Sequence, residues 1–430
     1  MGLVLHLLAA VLGLYLYKKR QRGWFVILLY AVMTSFFGYL PIGNVSKDIG
    51  VVMIVCTLVV TPHCAYSKHD PIGKWIIILL SYYTFRCICS ILLGEESIFR
   101  SLRLVRVEYV LIAYFVLKRV PLDELRKAIN ILLYITIPLC LIQIIHVLSG
   151  QADFVSSIYG RSYMSIRMGL IPDTAVLFFA YLLFKEKRNT KEWIFLFIIV
   201  ASIVLGNVRG LFLSVLITTV IFICKQGKFK YLLWGILFIP IMWVKFNENS
   251  QKANTVTELS ATFDKISSGR INSIDVTDGN LAFRVVLVKE RIEYLCENAS
   301  RFIFGIGTIP EQSPNNNLSF YIGSGNLDED GVYYRQQIET TDVAFITNLL
   351  RYGFMYFVIF ICLISAIYKV CIKHRTIYSD VGIFTITVYL IAAPSCNYLS
   401  SINDLFPVLL AIVAGVKESI FDRNDLQIQK

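Results

Sequence analysis

Long apolar runs separated by short basic clusters set the pattern of this chain. The clearest runs are Trp75–Leu93, Ala128–Leu148, Trp193–Gly206, Gly210–Cys224, Tyr231–Val244 and Ala344–Tyr368. Each approaches the ~20 residues that a helix needs to cross ~30 Å of hydrocarbon. Such runs are expected to be helical, because lipid offers no partner to a free backbone N–H or C=O. With the weaker runs included, the pattern predicts thirteen spans, at roughly 2–17, 23–40, 48–61, 74–93, 104–117, 128–149, 168–184, 192–206, 210–224, 231–245, 342–368, 380–394 and 404–416. The fold class expected is an all-α polytopic membrane protein of about 12–13 transmembrane helices.

One connection breaks the rhythm. Residues 246–341 are polar, rich in Asn, Ser, Asp and Gly, and too long for a turn. Inside this segment Leu281–Glu297 reads as a helix, with Leu281, Val285, Val288, Ile292 and Leu295 at helical spacing. Its flanks, 246–280 and 308–340, read as irregular. The organisation is therefore an N-terminal bundle over 1–245 with a small outer loop at 149–167, a large loop over 246–341, C-terminal spans over 342–416 and a tail over 417–430.

Composition agrees with a bilayer as solvent. The chain is 56% hydrophobic with 17% charged residues, and its mean hydropathy is +0.63. A soluble globule carries roughly 25% charge. The net charge of +11 resides in clusters between apolar runs, such as Lys18–Lys19–Arg20–Arg22, Lys118–Arg119 and Lys185–Lys187–Arg188–Lys191, which excludes nucleic acid as a partner. Placing Lys18–Arg22 in the cytoplasm puts 22 of the 41 Lys and Arg residues in inner segments and six in the short outer ones. The N-terminus and the large loop then lie outside, and the tail inside. The first apolar run lacks a basic n-region, so no cleavable signal peptide is expected. Of ten cysteines only Cys296 and Cys396 fall on the outer side, where a disulfide between them is the alternative to the expected pair of free thiols. The five histidines are scattered, and no metal-ligand spacing occurs.

The candidate chemistry is arginine-rich. Arg209 lies in the glycine-flanked turn Gly206–Asn207–Val208–Arg209–Gly210, and Arg161 and Arg167 lie in the small outer loop. Arg284 and Arg291 are seven residues apart on the predicted loop helix, on one face and about 10 Å apart along its axis. Together these groups could surround a pyrophosphate, since guanidinium binds phosphate oxygens bidentately and stays charged. The competing reading is that interfacial arginines snorkel to lipid headgroups. At Glu339–Thr340–Thr341–Asp342 the loop re-enters the membrane. Asp342 is a candidate general base with Glu339 as its substitute, or else an N-cap of the span that follows. Arg86 and Arg351 fall within predicted spans and are expected to face the bundle interior.

Three landmarks together resemble the O-antigen polymerase and ligase superfamily of bacterial envelopes. They are GNVRG (Arg209), LAFRVVLVKERIEYL followed by FGIG (Arg284, Gly305, Gly307), and TTDVAFITNLLRYGF (Asp342, Gly353). RMGLIPDTAVLFFAYLL, residues Arg167–Leu183, is also similar to the segment that follows the family's first outer loop. The likeness covers roughly residues 160–370. It implies a GT-C-like fold in the bacterial inner membrane, with the large loop periplasmic. It also implies a metal-independent, cofactor-free inverting transfer of glycans carried on undecaprenyl pyrophosphate, with a chain-length regulator as a further partner. Arg209 and Arg284 would hold the leaving pyrophosphate while Asp342 takes the acceptor proton, and Arg161, Arg167, Arg291 and Glu339 would bind substrate. Ligases of the family carry His where this chain has Asp342, which favours a polymerase over a ligase. From a different class, a flippase for the same lipid-linked unit would show charge-lined spans, matching halves and short loops. A sensor or scaffold is the remaining alternative.

Overall fold

The structure is a computed structural model and describes residues 2–40, 42–61, 70–149, 172, 174–206, 209–226, 255–270, 280–322, 324–327, 333–340, 343, 345–394 and 405–428. In chain order these form α1 (Gly2–Lys18), α2 (Arg22–Met33), α3 (Val45–Val60), α4 (Pro71–Leu92), α5 (Ile98–Val105), a 3₁₀ helix (Arg106–Ile112), α6 (Ala113–Leu117), α7 (Leu122–Ser149), α8 (Ala175–Phe184), α9 (Thr190–Leu205) and α10 (Arg209–Gln226). The loop contributes α11 (Thr255–Ser267), α12 (Asn280–Cys296), α13 (Ala299–Phe304) and an antiparallel ribbon, β1 (Ser324–Leu327) with β2 (Tyr333–Gln336). The chain then ends with α14 (Ile346–Lys373), α15 (Ile377–Ala392) and α16 (Leu405–Ile428).

Three helices, Pro71–Leu92, Leu122–Ile145 and Ile346–Lys373, are long and apolar enough to cross a membrane. Gly2–Lys18, Arg22–Met33, Ala175–Phe184, Gly210–Lys225 and Ile377–Ala392 are shorter apolar helices. In the three long ones only 39–44% of positions are buried, and outward residues such as Leu92, Tyr134 and Ile361 are apolar. Water would penalise that surface by about 25 cal/mol per Å², whereas lipid would not. The architecture is consistent with a helical membrane protein. The predicted span at 231–245 lies outside the described residues.

Two expectations need correction. The run at 104–117 is not one regular α-helix but the end of α5, a 3₁₀ helix and α6 in sequence. Arg106 there pairs with Asp48 at the head of α3, at 2.6 Å, and Glu108 follows it, so a continuous lipid-facing α-helix is not the arrangement adopted. The loop flanks are also not irregular throughout, since α11 and the ribbon occupy parts of them.

Side-chain contacts sort the connections into two ends of the bundle. At one end, Lys118 pairs with Asp70 at 2.7 Å, Arg126 with Glu418 at 2.7 Å, and Lys417 donates to the Val120 carbonyl. Arg22 donates to the Arg119 carbonyl, and Arg119 to Thr61. At the other end, beyond the C-terminus of α4, residues 95–97 meet the large loop. These are the segments read from the sequence as inner and outer, respectively.

Candidate functional site

The site is a junction where the loop docks on α4 and α14, and α12 organises it. Leu287 packs in a small apolar cluster with Ile322, Val343 and Ile346, and Leu295 in another with Ile338 and Leu350. One helical face thus grips both the returning loop and the head of α14. Between the clusters, Arg291 is 1% exposed, and its guanidinium donates to the carbonyls of Ile322 at 2.7 Å and Gln337 at 3.0 Å while lying over the Phe320 ring. Burial pushes its pKa down to about 10 against the pull of Glu290 and Glu311, so it remains a cation at neutral pH. Glu290 accepts from the N–H groups of Tyr321 and Ile322.

Glu311 fixes the approach to the membrane. Its carboxylate accepts from three successive N–H groups, those of Gln337 at 2.6 Å, Ile338 at 2.7 Å and Glu339 at 2.8 Å. That grip presents Glu339 to Arg351 of α14, where the carboxylate and guanidinium meet at 2.6 Å. Arg351 is buried and Glu339 half-exposed, so the pair spans the boundary between loop and bundle.

A second seam runs through glycine. Gly353 interrupts α14 with φ 71° and ψ −173°, a backbone state open to glycine and closed to other residues. The broken turn leaves carbonyls without helical partners. Leu350 O takes the N–H of Ile306 at 2.9 Å, and Arg351 O takes that of Gly307 at 3.0 Å. The Tyr82 hydroxyl donates to Tyr352 O. The loop then continues along the end of α4. Thr308 N–H donates to Ser90 Oγ at 2.9 Å, Ser313 donates to Glu96, and Asn315 Nδ2 donates to Glu95 O. Arg86 faces Glu95 at 3.7 Å. Burial alone would raise the Glu96 carboxyl, but the Ser313 hydroxyl, the Ser97 N–H and Arg100 together hold it below its ordinary value.

The residues expected to carry chemistry fare differently. Arg284 stands one turn before Leu287 on α12 and is partly exposed. Val343 shares the Leu287 cluster, so α12 packs against the chain just before α14. The Asp342 side chain, Arg161 and Arg167 lie outside the described residues. Arg209 opens α10 at the end of α9 remote from Lys185 and Glu192, and its side chain is also outside the described set. Arg291 departs from expectation: its buried guanidinium serves loop carbonyls, so it shares no open face with Arg284 for pyrophosphate. Glu339 is engaged by Arg351, and Arg86 and Arg351 are both buried. The exposed Cys296 carries a free thiol, while Cys396 lies outside the described residues.

Sequence reading passed over Glu108. It sits on the 3₁₀ turn within charge range of Lys47 and Arg351, with Tyr83 as a hydrogen-bond partner. The signal was present, since a lone carboxylate in an apolar run is a functional candidate by default. Among the described residues, no His, Cys, Asp and Glu groups cluster with the geometry to hold a metal ion. No protein-family model matches the chain, and no curated protein matches its sequence.

Proposed function

We propose that this chain is a membrane glycosyltransferase of about 12–13 spans that polymerises undecaprenyl-pyrophosphate-linked oligosaccharide repeat units into O-antigen or capsular polysaccharide. The reaction would occur on the periplasmic face of a bacterial inner membrane. One observation carries the reading. Landmark segments far apart in sequence, the FGIG stretch after α12 and the Arg351–Gly353 stretch of α14, meet backbone to backbone where the loop joins the bundle. Arg284 stands one turn from Leu287, whose cluster includes Val343 at the head of the last landmark segment. An interfacial site of this kind suits a substrate whose lipid tail stays in the bilayer while its pyrophosphate and sugars lie in water.

In this reading the terminal hydroxyl of a new repeat unit attacks the anomeric carbon of the growing chain, and the bond from that carbon to pyrophosphate breaks. The arginines stabilise the charge that develops on the leaving pyrophosphate. A carboxylate takes the hydroxyl proton. The test is to give purified protein in lipid nanodiscs the lipid-linked repeat unit that accumulates in cells lacking this gene. A ladder of increasing chain length is expected, with Arg284→Ala abolishing it while insertion is retained. A single transfer to lipid A core without a ladder would make the chain a ligase. Movement of the unit across a vesicle membrane without either product would make it a flippase.

A further inference from the structure

The short helix α5 is built inside out for a surface in water. Its buried positions are Ser101, 0% exposed, and Val105, whereas Ile98, Phe99 and Leu102 are exposed, Phe99 at 87%. At 3.6 residues per turn the positions fall into three sectors. Ser101 and Val105 face the protein, Ile98, Leu102 and Phe99 fill the next sector, and Arg103 and Arg100 follow beyond them. Water would favour the opposite arrangement, with the serine outside and the phenylalanine inside.

The apolar sector continues a larger surface. Along α4, Phe85, Ile88 and Leu92 recur at three- and four-residue spacing and are all exposed, as is Leu93 beside them. In a membrane this stripe of a helix long enough to cross it faces acyl chains. Gly94, with φ 69°, ends α4 and turns the chain towards α5. Eight residues extend about 12 Å, well short of ~30 Å of hydrocarbon, so α5 cannot cross.

Contacts at both ends prevent α5 from rolling its apolar sector inward. Just before it, Glu96 accepts from Ser313 and Glu95 O from Asn315 Nδ2. Just after it, Arg106 pairs with Asp48 at 2.6 Å. Arg100 reaches back to Glu96 at 3.5 Å while half its side chain stays open, and Arg103 is exposed. Arginines bordering an apolar sector can rest their stems on it and hold phosphate oxygens with their heads.

We propose that α5 lies in the headgroup layer of the leaflet on the loop side, with Ile98, Phe99 and Leu102 among acyl chains and Arg100 and Arg103 on the phosphates of anionic lipids. A second copy meeting this patch symmetrically would crowd four arginines into one contact, which disfavours that occupant. Seated in this way, α5 fixes the height of Ser313 and Asn315, and of the loop that carries them, above the acyl chains. It would do so whether or not the chain elongates a glycan.

The test is photocrosslinking of full-length protein in nanodiscs of equimolar phosphatidylglycerol and phosphatidylcholine. Para-benzoylphenylalanine replaces Phe99, Ile361 on the outward side of α14, or Tyr321 on the loop, all exposed positions. Lipid adducts at 99 should come within a few-fold of those at 361 and exceed those at 321 by about ten-fold or more. A position 99 that yields no lipid adduct while 361 does, or that yields a covalent dimer, overturns the proposal. No lipid adduct at 361 either would overturn it together with the membrane-spanning role of α14. Phosphatidylglycerol adducts at 99 should outnumber phosphatidylcholine adducts by about two-fold or more, and Arg100→Gln with Arg103→Gln should return the ratio to about one. Equal adducts before the substitutions, or an unchanged ratio after them, would remove the anionic lipid from the arginines.

Discussion

Gly305 and Gly353 face each other with no room for a side chain on either. A Cβ built on Gly305 would stand 2.6 Å from the Gly353 nitrogen, and one built on Gly353 would stand 2.4 Å from the Gly305 nitrogen. Both glycines also have positive φ, 74° and 71°. The loop meets the bundle through bare backbone at this point.

Gly353→Ala should therefore destabilise the protein by about 3 kcal/mol or more, combining a backbone state reserved for glycine with a clash against main chain that cannot swing away. Gly94→Ala is the comparison, since it has positive φ but nothing within 4 Å of its Cβ, and should cost only about 1 kcal/mol. Thermal unfolding in detergent checks both. Equal losses would mean that the seam does not constrain the fold.

Glu311→Gln keeps the shape and removes the charge that gathers three N–H groups. The expected loss is about 2 kcal/mol, confined to the loop. Limited proteolysis should cut faster between residues 318 and 340, with the bundle left intact. Unchanged cleavage would deny Glu311 its organising role.

The Arg351–Glu339 pair should couple in a double-mutant cycle by about 1 kcal/mol, modest because the carboxylate is half open to water. Arg351→Ala alone should cost more than Glu339→Gln, because the arginine is the buried partner. The reverse order would place the arginine in a wet environment.

Acid should loosen the loop from α4. Glu96 has its folded pKa below the ordinary 4.5, so its contribution is present above that value and fades as pH falls through the folded one. Hydrogen exchange over residues 308–316, corrected for the intrinsic effect of pH, should quicken as pH falls below the ordinary value of 4.5. In Glu96→Gln it should already be fast at neutral pH. Exchange that follows the intrinsic rate alone in the native protein would exclude this anchor.

What could be read from the sequence tracks the length of the signal. The spacing predicts the loop helix at Leu281–Glu297 and the structure has it at Asn280–Cys296, because apolar residues at three- and four-residue spacing leave few alternatives over seventeen positions. The apolar runs at 74–93 and 128–149 are likewise helices. Periodicity failed where contacts distant in sequence decide. Helical spacing puts Arg284 and Arg291 on one face but does not show that Ile322, Gln337 and Phe320 cover half of it. The break at 106–112 depends on partners in α3 and α14, and the ribbon at 324–336 has too little alternation to stand out. The glycines were legible as landmarks. That they touch was not.

The interruption of α14 at Gly353 divides that helix by allegiance. The turns before it, from Ile346 to Tyr352, are bonded to loop segments and to α4, and those after it belong to the bundle. In any exchange of loops between proteins of this build, the transplant should run from the start of α12 through Gly353. A graft ending where the polar sequence ends would leave the first turns of the helix docked to a surface that is no longer there.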